Sequence, residues 1–317
     1  MKRRTIVALI VAAALITTGG ILLVMGLSFA GSGRQGNGLT SQEITIQESF
    51  DRIDINTADC DVKFAMFSGR DDCMVQIRTQ ENVSHSAVVE DGTLKIKMID
   101  NRNWTDYIGI FGVTEQMEMT VYLPAAEYES LQVRTATGDI ALAQEPFFRE
   151  VVLRTNTGDI SCVDAGGDVL DCMTSTGDIS VQNSVPNVLK LQTNTGDFAV
   201  RVVAGDEIHM RTNTGDVDAE NVNAQMFTCK TETGDVELEQ VLAEDYLQIR
   251  TDTGDVGIEN CDAGKVDIET DTGDVSGHFR TPKWFSAFSD TGNVTVPNTP
   301  DGGECRIQTD SGDIRFK

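Results

Sequence analysis

Arg154-Thr155-Asn156-Thr157-Gly158-Asp159-Ile160 is one copy of a box that recurs ten times, as Thr/Ser-x-Thr/Ser-Gly-Asp/Asn followed by Ile, Val or Phe. The Gly-Asp pairs are Gly138-Asp139, Gly158-Asp159, Gly177-Asp178, Gly196-Asp197, Gly215-Asp216, Gly234-Asp235, Gly254-Asp255, Gly273-Asp274 and Gly312-Asp313, with Gly292-Asn293 as the variant. Successive glycines lie 19 or 20 residues apart. A short, nearly constant period means that each unit buries its apolar face only against its neighbours, as in a solenoid, a propeller or an array.

Aligned on the glycine, the apolar positions decide among these. Seven and five residues before it stand pairs such as Val151 and Leu153, Leu189 and Leu191, or Leu247 and Ile249. Thr or Ser follows at three and at one before it. This period-two alternation describes a strand with one buried face and assigns both Thr to that face. After the glycine the inward positions are two and four on, as in Ile160 and Cys162 or Val236 and Leu238. The alternation therefore slips by one residue at Gly-Asp, which a straight strand cannot do without turning over. A corner absorbs the slip, because Gly adopts backbone angles that other residues resist and Asp bonds local backbone. A propeller blade needs roughly 40–45 residues, so the period excludes it. The expected fold is all-β: a parallel β-solenoid of about ten coils, roughly 45 Å long at the usual strand spacing.

Outward from the repeats the chain divides into five segments. Residues 1–4 form a basic tail and residues 5–30 an uncharged, mostly apolar run. A run of that length spans a bilayer as a helix, and the basic flank keeps the tail in the cytoplasm. A cleaved signal peptide is the competing reading, with Ser28-Phe29-Ala30 as a cleavage site. Both readings export the rest. Residues 31–41 are a Gly/Ser-rich linker. Residues 42–127 read as short strands without the box, an irregular β cap with a hairpin signal at Asp91-Gly92 and a decayed box at Asn56-Thr57-Ala58-Asp59. Residues 128–317 are the solenoid. Its last coil ends at Ile314-Arg315-Phe316-Lys317, where either the cations of Arg315 and Lys317 discourage edge pairing or the open edge docks another copy.

The order of an N-terminal anchor, a strand-rich lead-in, the Asp-Gly-Thr-Leu hairpin at 91–94, then Val121-Tyr122-Leu123-Pro124 shortly before the first box, resembles the putative-adhesin family of bacterial cell-envelope β-solenoids. The likeness covers about residues 42–317. That family is largely a domain of unknown function and brings no catalytic motif. The resemblance implies exposure at the cell surface more directly than it implies adhesion.

Net charge is −25, and residues 1–34 hold four bases and no acid, so the remainder carries −29. Such a balance argues against nucleic acid or an anionic lipid surface as partner and favours cations or basic partners. Two before the glycine, an outward position changes from Asn156, Asn194 and Asn213 to Glu232, Asp252, Asp271, Asp290 and Asp310. Stacked carboxylates about 5 Å apart repel by just under 1 kcal/mol per pair in water, so something must offset them. Backbone N–H donors to each corner Asp would do so. The sharper alternative is Ca²⁺ between the rows, with Asp252, Asp255, Asp271, Asp274, Asp310 and Asp313 as ligands. The box lacks the Gly-Gly-x-Gly-x-Asp nonapeptide of calcium β-rolls, which weighs against Ca²⁺, and no other cofactor is expected.

Inward Thr places methyls in the core and hydroxyls on nearby backbone, which disfavours an ice-binding or glycan ladder. Cys162, Cys172, Cys229 and Cys305 fall on inward positions as small apolar groups. Cys60 and Cys73 are the candidate disulfide. Histidines at 85, 209 and 278 are scattered and the carboxylates follow the period, so no nucleophile–base set emerges and catalysis is not expected. The stretch 101–112 breaks the pattern, and Trp104, Tyr107 and Phe111 either dock a partner or plug the core. The reading is a single-pass protein of the bacterial cell membrane with an extracytoplasmic, adhesin-like binding or scaffold domain, meeting an unknown protein or glycan. The alternative is an accessory or sensory module of an envelope-stress system acting through a membrane partner.

Overall fold

The structure, a computed structural model, describes residues 39–67, 69–80, 82–102, 116–143 and 147–317. They belong to one compact unit within Ser32–Lys317. The expected membrane span, residues 5–30, lies outside the described residues. No described helix is long and apolar enough to cross a membrane.

The cap comprises β1 (Leu39–Ile46), β2 (Arg52–Asn56), β3 (Cys60–Met66), β4 (Cys73–Gln80), β5 (Val83–Glu90), β6 (Thr93–Asp100) and β7 (Met117–Leu123). The repeats then supply β8 (Glu127–Arg134), β9 (Ile140–Ala143), β10 (Phe147–Arg154), β11 (Ile160–Val163), β12 (Gly166–Met173), β13 (Ile179–Gln192), β14 (Phe198–Ala204), β15 (Glu207–Arg211) and β16 (Val217–Lys230). The far end holds β17 (Val236–Glu239), β18 (Leu242–Thr253), β19 (Val256–Thr272), β20 (Val275–Phe279), β21 (Lys283–Thr291), β22 (Val294–Thr295), β23 (Gly303–Ser311) and β24 (Ile314–Phe316). Between copies of the box the described pairings are parallel and keep the apolar columns aligned, with bulges only in the returns at Ala224–Met226, Ala243–Tyr246 and Glu259–Cys261. Val151 faces Leu131 and Leu170, and Leu189 faces Leu170 and Ile208. The ten boxes bound about nine turns of a parallel β-solenoid.

The inward columns are those that the alternation assigns. Leu131, Val151, Leu170, Leu189, Ile208, Phe227, Leu247 and Val266 are all at most 1% exposed, and Ile160, Ile179, Phe198, Val217, Val236 and Val256 line the facing wall. Each such side chain removed from water contributes about 1.5–3 kcal/mol, and the stack joins them into one continuous core.

The decayed box extends this stack. Strand β2 pairs with β8 and β3 with β9, so Cys60-Asp61 occupies the corner beneath Gly138-Asp139. Strands β4 to β7, between β3 and β8, form an insertion that covers this end. Strands β4 and β1 add antiparallel neighbours beyond β7, while β5 closes onto β6. The hairpin turn sits at Asp91-Gly92, with φ of 50° and 75°. Strand β5 was not evident in the sequence, because Ser84-His85-Ser86 offers no apolar alternation.

At the other end the coils are not stacked in chain order. Strand β19 pairs with β23, and β21 pairs only with the far side of β23. The C-terminal coil thus lies between the Gly273 and Gly292 coils. The edge strand is β21, and the expectation that the chain ends at the open edge is corrected.

Candidate functional site

The corners form the most ordered feature of the surface. The carboxylate Oδ1 of each corner Asp accepts the main-chain N–H of the corner residue in the next coil. Asp139 donates to Asp61 at 2.9 Å, Asp159 to Asp139 at 2.8 Å, and Asp216 to Asp197 at 2.8 Å. The ladder continues through Asp235, Asp255, Asp274 and Asp313 to Asn293, which donates to Asp313 at 2.6 Å. These bonds offset the repulsion among stacked carboxylates. At the last step the Asn293 N–H holds the Asp313 carboxyl below its usual range. Asn293 ends the ladder, with no later N–H to receive, which explains why the variant box carries an amide.

Glycine is required here on two counts. Gly196 has φ of 148°, and a Cβ on it would lie 2.0 Å from the Gly177 carbonyl oxygen. That oxygen accepts the Oγ1 hydroxyl of Thr193 at 3.2 Å, a bond repeated from Thr155 to Gly138 and from Thr212 to Gly196. These Thr, three before the glycine, are buried as expected. The Thr one before it are not: Thr157, Thr176, Thr195, Thr214 and Thr233 are exposed. The turn therefore begins one residue earlier than the alternation suggests, and only half of each Thr pair packs inside.

The six carboxylates named for Ca²⁺ are divided between two jobs. Asp255, Asp274 and Asp313 serve the corner ladder, and Arg315 pairs with both Asp274 and Asp313. Asp252, Asp271 and Asp310 stand exposed on the adjacent row. Among the described residues no group of three or more His, Cys, Asp or Glu is placed to hold a metal ion.

A feature that composition concealed lies on the outer face of the strands that lead into the corners. Arg211, Lys230 and Arg250 occupy the same position in three successive coils, directly paired in register. Lys190 and His209 stand beside them in the neighbouring column. With Arg154 they border a shallow groove of about 440 Å³. Arg154 pairs with Asp171, Arg250 with Glu269 at 3.3 Å, and His209 with Glu207 at 3.2 Å. Among the described residues Lys190, Arg211 and Lys230 make no ion pair. A net charge of −29 therefore does not describe this face.

Residues 50–241 and 205–317 match the model of the Toastrack DUF4097 family. The chain belongs to the Toastrack family. Solved structures similar to it include a putative adhesin from Bacteroides fragilis, 14% identical with a TM-score of 0.40, covering 90% of this chain and 99% of that one. A putative lipid binding protein from Parabacteroides distasonis is 15% identical with a TM-score of 0.47, over 89% and 97% of the two chains. A putative adhesin from the same organism is 12% identical, also with a TM-score of 0.47, over 89% and 98%. No curated protein matches the chain.

This Toastrack chain has no Cys60–Cys73 bridge. Both thiols are free and buried. Cys60 pairs with Met117 at one end of β7, whereas Met74, next to Cys73, pairs with Tyr122 near the other. Five residues of strand separate Met117 from Tyr122, roughly 17 Å, well beyond the reach of a disulfide. The spacing suggested a hairpin, but β7 lies between β3 and β4. Trp104, Tyr107 and Phe111 lie outside the described residues. The second bend of each Toastrack coil also escaped the sequence reading: Asp164, Asn183, Val202, Asn221, Gln240 and Asn260 all have φ of 50–57°. Asn recurs there, but Val202 and Gln240 obscure the pattern.

Proposed function

We propose that this Toastrack protein is an exported binding or scaffold protein of the bacterial envelope, tethered through residues 5–30 and acting by shape and charge without turnover. The observation that carries this reading is the corner ladder. The periodic carboxylates, which are the chain's most numerous ordered acids, each receive a neighbouring N–H and so hold a rigid lattice. A lattice of identical outward rows suits an extended macromolecular partner better than a small substrate, whose site would need residues that break the period. The basic flank at residues 2–4 and the apolar run after it support export.

The test is surface labelling and crosslinking of the full chain in intact cells. A membrane-impermeant reagent should reach lysines of the solenoid, and crosslinks should capture a surface glycan or protein. Lysines protected until the cells are lysed would refute export. Crosslinks confined to a neighbouring membrane protein would favour the accessory or sensory role instead.

A further inference from the structure

We propose that the groove over β13, β15, β16 and β18 is a binding site for a single-chain anionic polysaccharide, whose carboxylate, sulfate or phosphate groups meet Lys190, Arg211 and Lys230. This deepens the reading of the chain as a binding solenoid and rests on it for biological context, though not for the chemistry.

The chain holds twice as many acids as bases, 50 against 25. In such a chain a surface cation should readily find a carboxylate. Lys63, Lys95, Arg149, Arg201 and Lys265 do. Among the described residues Lys190, Arg211 and Lys230 do not; Arg211 and Lys230 adjoin, and Lys190 stands between His209 and Asp171, whose carboxylate is held by Arg154. Arg211 faces Lys230 directly, and Lys230 faces Arg250. Neighbouring coils sit about 4.8 Å apart, where like charges repel by nearly 1 kcal/mol even in water. An oxyanion held between adjacent rungs would remove that repulsion and accept charge-assisted bonds, which Arg forms in bidentate fashion.

The outline of the groove selects the ligand. Its cations run along the stack in two columns, so the occupant lies across the strands and follows the solenoid axis. On one side stand the exposed Glu232 and Asp252 and then the corner row, and Glu207 and Glu269 lie at its margins. These acids border the cationic strip along one side and close the end of its longer column, which disfavours a broad anionic surface such as a bilayer. Among the described residues no Phe, Tyr or Trp lines the groove, and His209 supplies its one imidazole. Single-stranded nucleic acid relies on a series of aromatic rings for base stacking, so a saccharide backbone fits better. Gln192 and Gln248 add amides suited to hydroxyl groups.

The experiment is binding of the full chain to immobilised polygalacturonate, dextran sulfate and phosphomannan, with neutral dextran and a single-stranded DNA oligomer as controls. At least one anionic polysaccharide should bind, neutral dextran should not, and affinity should fall as salt rises from 50 to 200 mM. The triple variant Lys190→Gln, Arg211→Gln, Lys230→Gln should weaken binding by about tenfold or more, as expected for the loss of three phosphate-type contacts. Its melting temperature should not drop, since Lys190 and Arg211 are exposed and Lys230 is half-buried on the same outer face with no ion pair among the described residues. Glu220→Gln with Glu237→Gln, on the adjoining wall, serves as a control that should leave affinity unchanged. Absence of binding to all three polysaccharides would overturn the proposal, as would binding indifferent to the triple variant or tighter binding of the DNA. Because purified protein is used, these results do not depend on whether the chain is displayed on cells.

Discussion

The main-chain N–H of Asp313 donates to the Asp274 carboxylate at 2.8 Å, although 39 residues separate them, and the intervening Asn293 lies one rung further out. The C-terminal coil therefore sits inside the stack, and the coil before it forms the end. Chemistry explains the exchange. The Gly312 coil has an Asp that can receive an N–H from above and a buried Thr309 that donates to the Gly273 carbonyl at 3.2 Å, so it can serve an interior rung. The Gly292 coil has Asn293 and only a two-residue β22, which suits a terminus.

Paired cysteines test this order. With Glu269→Cys and Gln308→Cys, which face each other in register, mild oxidation should give a disulfide. Glu269→Cys with Phe288→Cys should not, since those positions are two rungs apart, about 9.6 Å, beyond the span a disulfide tolerates. Stacking in chain order would reverse the two results on non-reducing gels.

Corner substitutions should rank clearly in urea denaturation. Gly196→Ala adds both a forbidden φ and a Cβ 2.0 Å from a fixed carbonyl, and should cost more than about 3 kcal/mol. Asp197→Ala removes the acceptor for the Asp216 N–H and should cost about 1–3 kcal/mol, while Asp197→Asn keeps an oxygen there and should cost less.

Val202 should be a site of easy stabilisation. It is a β-branched residue at φ of 56° and 54% exposed, where its counterparts in other coils include Asn183, Asn221 and Asn260. Val202→Asn relieves the left-handed strain without removing core packing and should raise stability by about 1 kcal/mol, read as a higher melting temperature.

Acid should act on the cap through His85. Burial lowers its pKa to about 4, and its Nδ1 has no partner among the described residues. The unfolded chain takes up this proton below pH 6.5 and the folded chain only near 4. The stabilisation is therefore complete above pH 6.5 and is lost as pH falls from 6.5 to 4, by about 3 kcal/mol in all. Melting temperatures at pH 7.5 and 5.0 should differ more for the native sequence than for His85→Gln.

The thiols should be silent. All seven cysteines are free and buried, and burial pushes Cys60, Cys73, Cys229 and Cys305 up to about 12. A thiol-specific chromophore should titrate none in the native protein and seven in denaturant, and reducing agent should leave the melting temperature unchanged. Fewer than seven in denaturant without reductant would reveal a bridge.

What the sequence determined was periodic. Alternation named the inward columns and the slip at Gly-Asp named the corner, because side-chain direction in a strand follows local spacing alone. The decayed box at residues 56–59 marked another rung but not its corner, which is Cys60-Asp61, two residues further on. The sequence misplaced Thr157 and its equivalents, since alternation does not say at which peptide the turn begins. What only the tertiary structure decided was adjacency. Every box offers nearly the same edge, so nothing local dictates that the Gly273 coil accepts Gly312 rather than Gly292, or that β7 parts Cys60 from Cys73. The meeting of Lys190, Arg211 and Lys230 had the same cause: they lie about 20 residues apart in a chain dominated by acids, and stacking alone brings them to one face.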